Sequence, residues 1–267
     1  YWTLDAELTP RSTREKRNRK SFRARLVRIN GDEPQLRTEA DVLPLLEALE
    51  GAEYEVLRIK EGQRRRSPAA PYTTSTLQQE ASRKLNYTAV KTMRIAQQLY
   101  EGLDIGNGQP VGLITYMRTD STNVAATAQA EARDYINAQY GASFLPPEPP
   151  QYKTRAKGAQ EAHEAIRPTS VLRSPAELKA HLSHDQYRLY DLIWRRFVAS
   201  QMAAAVYDTR TVEIAAGHGA DKPYLFRASG STLNFPGFLV VYEETGDENG
   251  NGEQKEDSQP VPPLTVG

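Results

Sequence analysis

The chain has 267 residues, 34 basic and 34 acidic side chains, a formal net charge of zero, 39% hydrophobic and 25% charged residues, and no cysteine. This composition fits one or two globular domains and excludes collagenous or wholly disordered chains; the missing thiols exclude disulfides, thiolate zinc sites and cysteine nucleophiles. The apolar runs fall far short of the roughly 20 residues needed to cross a bilayer, and no basic-then-apolar leader is legible, so no membrane partner is expected.

The first elements read as sheet. The run near 21–29, with Phe22, Ala24 and Leu26 and then Val27 and Ile29, is strand-like, and Glu53–Lys60 (EYEVLRIK) is a second strand candidate. Between them Val42, Leu45, Leu46 and Leu49 follow helical spacing up to Gly51, with Pro44 limiting how far upstream that helix begins. Arg64, Arg65 and Arg66, ahead of Ser67 and Pro68, read as a loop first and a phosphate contact second. The chain opens at Tyr1, without a methionine, in a strand-like stretch, which suggests a piece of a longer protein.

A helical block starts near Thr74, where Ser75 and Gln78 make a plausible capping box and Leu77, Ala81 and Leu85 share a face. After Asn86–Thr88, a second helix carries Val90, Met93, Ala96 and Tyr100 up to Gly102, and the pair resembles a helix-turn-helix unit, although core packing alone explains the spacing. A Gly-rich stretch from Gly102 to Pro110 follows. Asp120, Ser121 or Thr122 is placed to cap a third helix with Val124, Ala128, Ala132 and Tyr135 on one side, ended by Gly141. Ser174 and Pro175 open a fourth helix, and a fifth runs from about Asp185 to Ala205 with Tyr190, Ile193, Trp194, Phe197 and Val198 buried. Sheet returns at Thr209 (TRTVEIA), Tyr224 (YLFRAS) and Gly237 (GFLVVYE). The expected fold is α+β: a discontinuous β-rich domain over 1–71 and 206–267, and an inserted all-α domain over 72–205.

The zero net charge hides segregation. Nine Lys or Arg residues lie between Arg11 and Arg28 against the single acid Glu15, and seven acids lie between Glu243 and Asp257 against Lys255. A basic run attracts phosphates by Coulomb attraction and counterion release, while a solvated strand face has the same composition. The acidic run, with Gly246, Gly250 and Gly252, reads as a loop.

Tyr116-Met117-Arg118-Thr119-Asp120-Ser121 carries the most chemistry. A phenol ionises near pH 10 and attacks poorly at neutral pH unless a neighbour stabilises negative charge. Arg118 is a permanent cation whose planar donor fork suits phosphate oxygens, and Asp120 could hold Arg118 or a histidine in place. His163 precedes Glu164, but position 167 is Arg rather than a second His, which excludes a zincin site, and no Asp-x-Asp metal motif occurs. No metal ligand is expected in this chain. Arg167 with Lys153, Arg155 and Lys157 forms a sensible phosphate surface.

Gly112–Ser121 (GLITYMRTDS) resembles the active-site signature of type IA DNA topoisomerases, and Glu161–Thr169 (EAHEAIRPT) resembles a second signature of that family. Tyr72–Gln79 (YTTSTLQQ), Gln97–Glu101 (QQLYE) and Asp191–Gln201 (DLIWRRFVASQ) add to the likeness, and Met117 resembles the bacterial topoisomerase I branch rather than the topoisomerase III branch. The resemblance implies that Tyr116 attacks single-stranded DNA to form a transient 5′-phosphotyrosine link, with Arg118 stabilising phosphoryl charge. It further implies strand passage that relaxes negatively supercoiled DNA without ATP. His163, Asp120, Thr119, Thr115, Gln97, Glu101 and Arg167 match positions that contact DNA or line the site. The β-rich portion would be the strand-passage arch. Mg²⁺ would be held by an acidic Toprim domain outside this chain, so the piece alone is expected to be inactive. The whole protein is expected to be a monomer in the bacterial cytoplasm, at the nucleoid. Three rivals differ. A non-catalytic helix-turn-helix module explains the paired helices but not the two signatures. A tyrosine recombinase or type IB enzyme usually places its Tyr after the Arg/His set, whereas Tyr116 precedes His163 and Arg167. A purely structural module accounts for neither signature.

Overall fold

The alternation of Phe22, Ala24 and Leu26 with Arg23 and Arg25 dictates a strand with one apolar face, and β2 (Phe22–Ile29) buries the former three and exposes the latter two. The computed structural model describes residues 2–11, 21–106, 108–152, 163–243 and 261–267. Most of the basic run before β2, the acidic run beyond Glu243, and Lys153, Arg155 and Lys157 lie outside the described residues. The chain divides into two compact units, one of residues 1–65, 206–235 and 253–267, the other of residues 66–205 and 236–252.

The first unit is built on a five-stranded sheet. Besides β2 it contains β1 (Asp5–Leu8), β3 (Glu53–Arg66), β6 (Ala205–His218) and β7 (Asp221–Phe235), in the order β1-β2-β7-β6-β3. The β1–β2, β2–β7 and β6–β7 pairs are antiparallel, and a register shift between Leu26 and Arg28 interrupts the β2 ladder. Phe22, Ala24, Leu26, Val212, Ile214, Ala216, Phe226 and Ala228 form the core, with Val261 against them. Tyr54 meets Phe226 edge-on, ring centroids 5.6 Å apart, a geometry that adds to simple burial. Helix α1 (Glu39–Leu49) packs Leu45 and Leu49 on this core and is started by a Thr38–Asp41 capping box. Pro44 lies inside α1, past its first turn. Arg64, Arg65 and Arg66, expected in a loop, instead extend β3, where Arg64 lies over the Tyr207 ring at 5.1 Å.

The second unit carries α2 (Thr74–Leu85), α3 (Ala89–Glu101), α4 (Ala126–Tyr140), α5 (Pro175–Leu178) and α6 (His184–Ser200). It is not purely helical. A two-stranded ribbon pairs β4 (Leu103–Asp104) with β5 (Pro110–Val111), because the Asp104 carboxylate accepts the Gly106 and Gly108 amides and ties off the turn.

Helix starts and buried faces differ from the sequence reading in specific ways. Thr73, not Ser75, caps α2, with Thr76 completing the box. Ala125 precedes α4 without a side-chain cap, so none of Asp120, Ser121 and Thr122 caps it. Val90 in the first turn of α3 is 81% exposed and Tyr100 41%; the buried stripe is Thr92, Ile95, Ala96 and Leu99, spaced i, i+3, i+4, i+7. Ser174 with Pro175 and Ser183 begin α5 and α6 as capped helices. Gly237–Val240 is a 3-10 turn rather than a strand, and Phe238, Val241 and Tyr242 are buried at helical spacing. That turn and residues 67–71 thus belong with the helices rather than with the sheet, as Phe238 N–H donates to the Ala203 carbonyl and the Tyr242 and Tyr72 hydroxyls lie 2.8 Å apart.

Candidate active site

Between Leu113 and α4 the chain runs without regular structure, and burial alternates along it: Met117 and Thr119 point inward, while Tyr116, Arg118 and Asp120 face solvent. Bends at 115, 117 and 118 shape the segment, and burying 117 and 119 leaves 116, 118 and 120 on the solvent side. Met117 is 1% exposed and Tyr116 50%.

The segment is held on two sides. On one, the two signature stretches pair with each other. Thr169 N–H donates to the Leu113 carbonyl (3.0 Å), Thr115 N–H to the Arg167 carbonyl (2.9 Å), and Arg167 N–H to the Thr115 hydroxyl oxygen (3.0 Å). Ile114 and Ile166, both buried, fix the inner face of this pairing. On the other side stands the start of α2. The Thr74 hydroxyl donates to the Met117 carbonyl (2.8 Å) and accepts the Thr119 amide (2.9 Å), while Thr74 N–H donates to the Thr119 carbonyl (2.9 Å). The end of α3 completes the frame: Leu113 N–H donates to the Leu99 carbonyl (2.7 Å), and Tyr100 meets Tyr116 edge-on with centroids 5.3 Å apart and planes at 64°.

The Tyr116 hydroxyl has no hydrogen-bond partner among the described residues, and Arg118 and Asp120 make no ion pair there. Asp120 therefore holds neither Arg118 nor His163; all three are exposed. Gln97 Nε2 donates to Glu101 Oε1 on the last turn of α3. Thr115 is spoken for by backbone, donating to the Ala165 carbonyl (2.7 Å). Thr119, 9% exposed, accepts the Ser121 amide (3.1 Å). Arg167 grips Glu164 through Nε (2.7 Å) and Nη2 (2.6 Å), a two-point pair that leaves its side chain 12% exposed. It is thus an internal strut of the second signature more than an open phosphate ligand. Sequence reasoning gave no role to Thr74 or Tyr100; the only legible signal was their position in stretches that resemble the family.

Among the described residues no group of three His, Asp or Glu side chains converges to hold a metal ion, and no helix is long and apolar enough to cross a membrane.

The chain belongs to the DNA topoisomerase family, whose profile matches residues 1–267. It is 43% identical over 274 aligned residues to the DNA topoisomerase 1 of Xylella fastidiosa (strain Temecula1), an alignment that covers all of this chain and 32% of that protein. Its fold is similar to that of full-length topoisomerase I from Thermotoga maritima, with a TM-score of 0.66 and 35% identity over 84% of this chain and 34% of that one. The chain thus spans about a third of the length of these two relatives.

Proposed function

We propose that this chain is the part of a type IA DNA topoisomerase that carries the nucleophile. The Tyr116 oxygen attacks a phosphodiester of single-stranded DNA. A new O–P bond forms to the 5′ side, the bond from phosphorus to the 3′ oxygen breaks, and the phenolic proton is balanced by the proton the departing 3′ hydroxyl gains. The ester energy is kept in the 5′-phosphotyrosine, so reversal reseals the strand without ATP. Arg118 stabilises the charge that builds on the phosphoryl oxygens. Asp120, Thr119, Thr115, Gln97, Glu101, His163 and Arg167 surround this chemistry as contacts or supports.

This reading rests on the alternation of burial that leaves both Tyr116 and Arg118 exposed, with no partner for the phenolic hydroxyl or the guanidinium among the described residues. An exposed phenol and an exposed guanidinium on a segment anchored at 117 and 119 are placed to meet an extended nucleic-acid strand. The β-rich unit serves strand passage as an arch, and the isolated 267-residue chain, about a third of the length of its relatives, does not relax plasmid by itself.

The test is covalent capture by the full-length protein of a single-stranded oligonucleotide labelled on either side of the cut. The wild type retains label from the 5′-phosphate side, and Tyr116→Phe captures none while binding and folding as before. Capture surviving in Tyr116→Phe, or a blocked 3′-phosphate, contradicts the assignment.

A further inference from the structure

We infer that Thr74 is a positioning residue for the Tyr116–Arg118 segment, acting at the reaction proposed above and resting on that reading. Thr74 is the first residue of α2, and the capping of that helix is done by its neighbour: Thr73 is the N-cap and accepts the Thr76 amide. The Thr74 hydroxyl is therefore not needed to end the helix, and both of its hydrogen-bonding roles go to a segment 43 and 45 residues away, donating to the Met117 carbonyl and accepting the Thr119 amide. With the Thr74 amide bonded to the Thr119 carbonyl as well, one residue grips three consecutive peptide units, the two that flank Arg118 and the one that follows Thr119.

Where the grip falls matters. Met117 and Thr119 are the inward positions of the alternating segment, so fixing their backbone fixes the direction in which Tyr116 and Arg118 leave it. The anchor is itself rigid, since the preceding Tyr72 is fully buried and its carbonyl accepts the Ile166 amide (2.8 Å). Thr74 thus joins α2, the tyrosine segment and, through Tyr72, the second signature. A hydroxyl that both donates and accepts is required at this place: valine matches the shape but offers neither bond, whereas serine offers both. In the reaction, an error of about 1 Å in the attacking atom costs on the order of 100-fold in rate.

The experiment uses the full-length protein and a single-stranded oligonucleotide, with cleavage rate and binding of uncleaved strand measured separately. Thr74→Val is expected to lower the cleavage rate constant roughly 100-fold while binding changes by less than about threefold, and Thr74→Ser is expected to return cleavage to within about threefold of wild type. A purely structural role would instead lower cleavage and binding together through loss of folded protein. Equal cleavage by Thr74→Val and wild type, or a parallel loss of binding, overturns the inference. Tyr116→Phe run alongside separates the two levels: if that variant still forms the covalent complex, the nucleophile assignment itself falls, and the role given to Thr74 falls with it.

Discussion

Thr115 and Arg167 bind each other in both directions, amide to carbonyl at 2.9 Å and amide to hydroxyl at 3.0 Å, and so stitch together two segments that lie 52 residues apart in the chain. Because the Thr115 hydroxyl also donates to the Ala165 carbonyl, replacing it by valine leaves the Arg167 amide and the Ala165 carbonyl without their partner. Buried polar groups orphaned in this way cost about 1–3 kcal/mol each. Thr115→Val is expected to lower the midpoint of urea unfolding clearly, and Thr115→Ser to keep most of the stability. Equal midpoints for valine and wild type would show that the pairing is not needed.

Gly112 precedes this stitched segment where the backbone passes Tyr100. A Cβ at Gly112 would stand 2.8 Å from the Tyr100 carbonyl oxygen, and backbone cannot give way as a side chain does. Gly112→Ala is therefore expected to push Leu113 off its bond to Leu99 and to destabilise the fold by about 1–3 kcal/mol. It should also lower covalent capture in the full-length protein, through the packing of Tyr100 on Tyr116. Differential scanning calorimetry beside the capture assay checks both, and an unchanged melting temperature contradicts the close approach.

Arg196 is 4% exposed in α6, with its guanidinium 4.8 Å from the Tyr72 ring and 5.4 Å from that of Tyr242, while Nε donates to the Ala70 carbonyl (2.6 Å). It fastens both the segment entering the helical unit and the turn that returns to it. Arg196→Ala removes the cation–π contacts, leaves a carbonyl unpaired and opens a cavity, for an expected loss of about 2–5 kcal/mol. Lysine lacks the planar fork and should restore only part of it. A melting temperature of Arg196→Lys equal to wild type would contradict this.

Tyr87 is 3% exposed and donates to Asp185 (2.8 Å); burial, then that hydrogen bond and the carboxylate charge, push its pKa up to about 12. The unfolded phenol ionises near 10, so the unfolded chain gives up the proton first. The stabilisation is complete below pH 10 and is lost as pH rises through about 12. In an ultraviolet titration, the difference between wild type and Tyr87→Phe should show phenolate forming near pH 12 rather than 10. Phenolate appearing near 10 in that difference would mean that Tyr87 is not held as described.

Local pattern carried the reading a long way where one principle dominated. Ser174 before Pro175 announced α5, and the apolar spacing of Tyr190, Ile193, Trp194, Phe197 and Val198 announced the buried face of α6. It failed where two patterns compete over a few residues. The run Gly237–Glu243 is rich in β-formers, yet Phe238, Val241 and Tyr242 also satisfy a helical period, and packing within the helical unit selected the turn. The start of α3 misled for a related reason: Val90 continues an apolar pattern but lies in the first turn, on the outer side.

The order of residues alone determined which chemistry is on offer: a phenol and a guanidinium two places apart, no thiol, and segments that resemble one family. Only the tertiary structure decided which of the polar side chains remain open to do it. Thr115 and Arg167, promising in sequence, spend their groups on Ala165 and Glu164, while Thr74, legible only as the start of a helix, holds Met117 and Thr119. The reason is that these bonds join residues tens of positions apart, and a hydrogen bond depends on where two groups meet in space, which no local periodicity encodes.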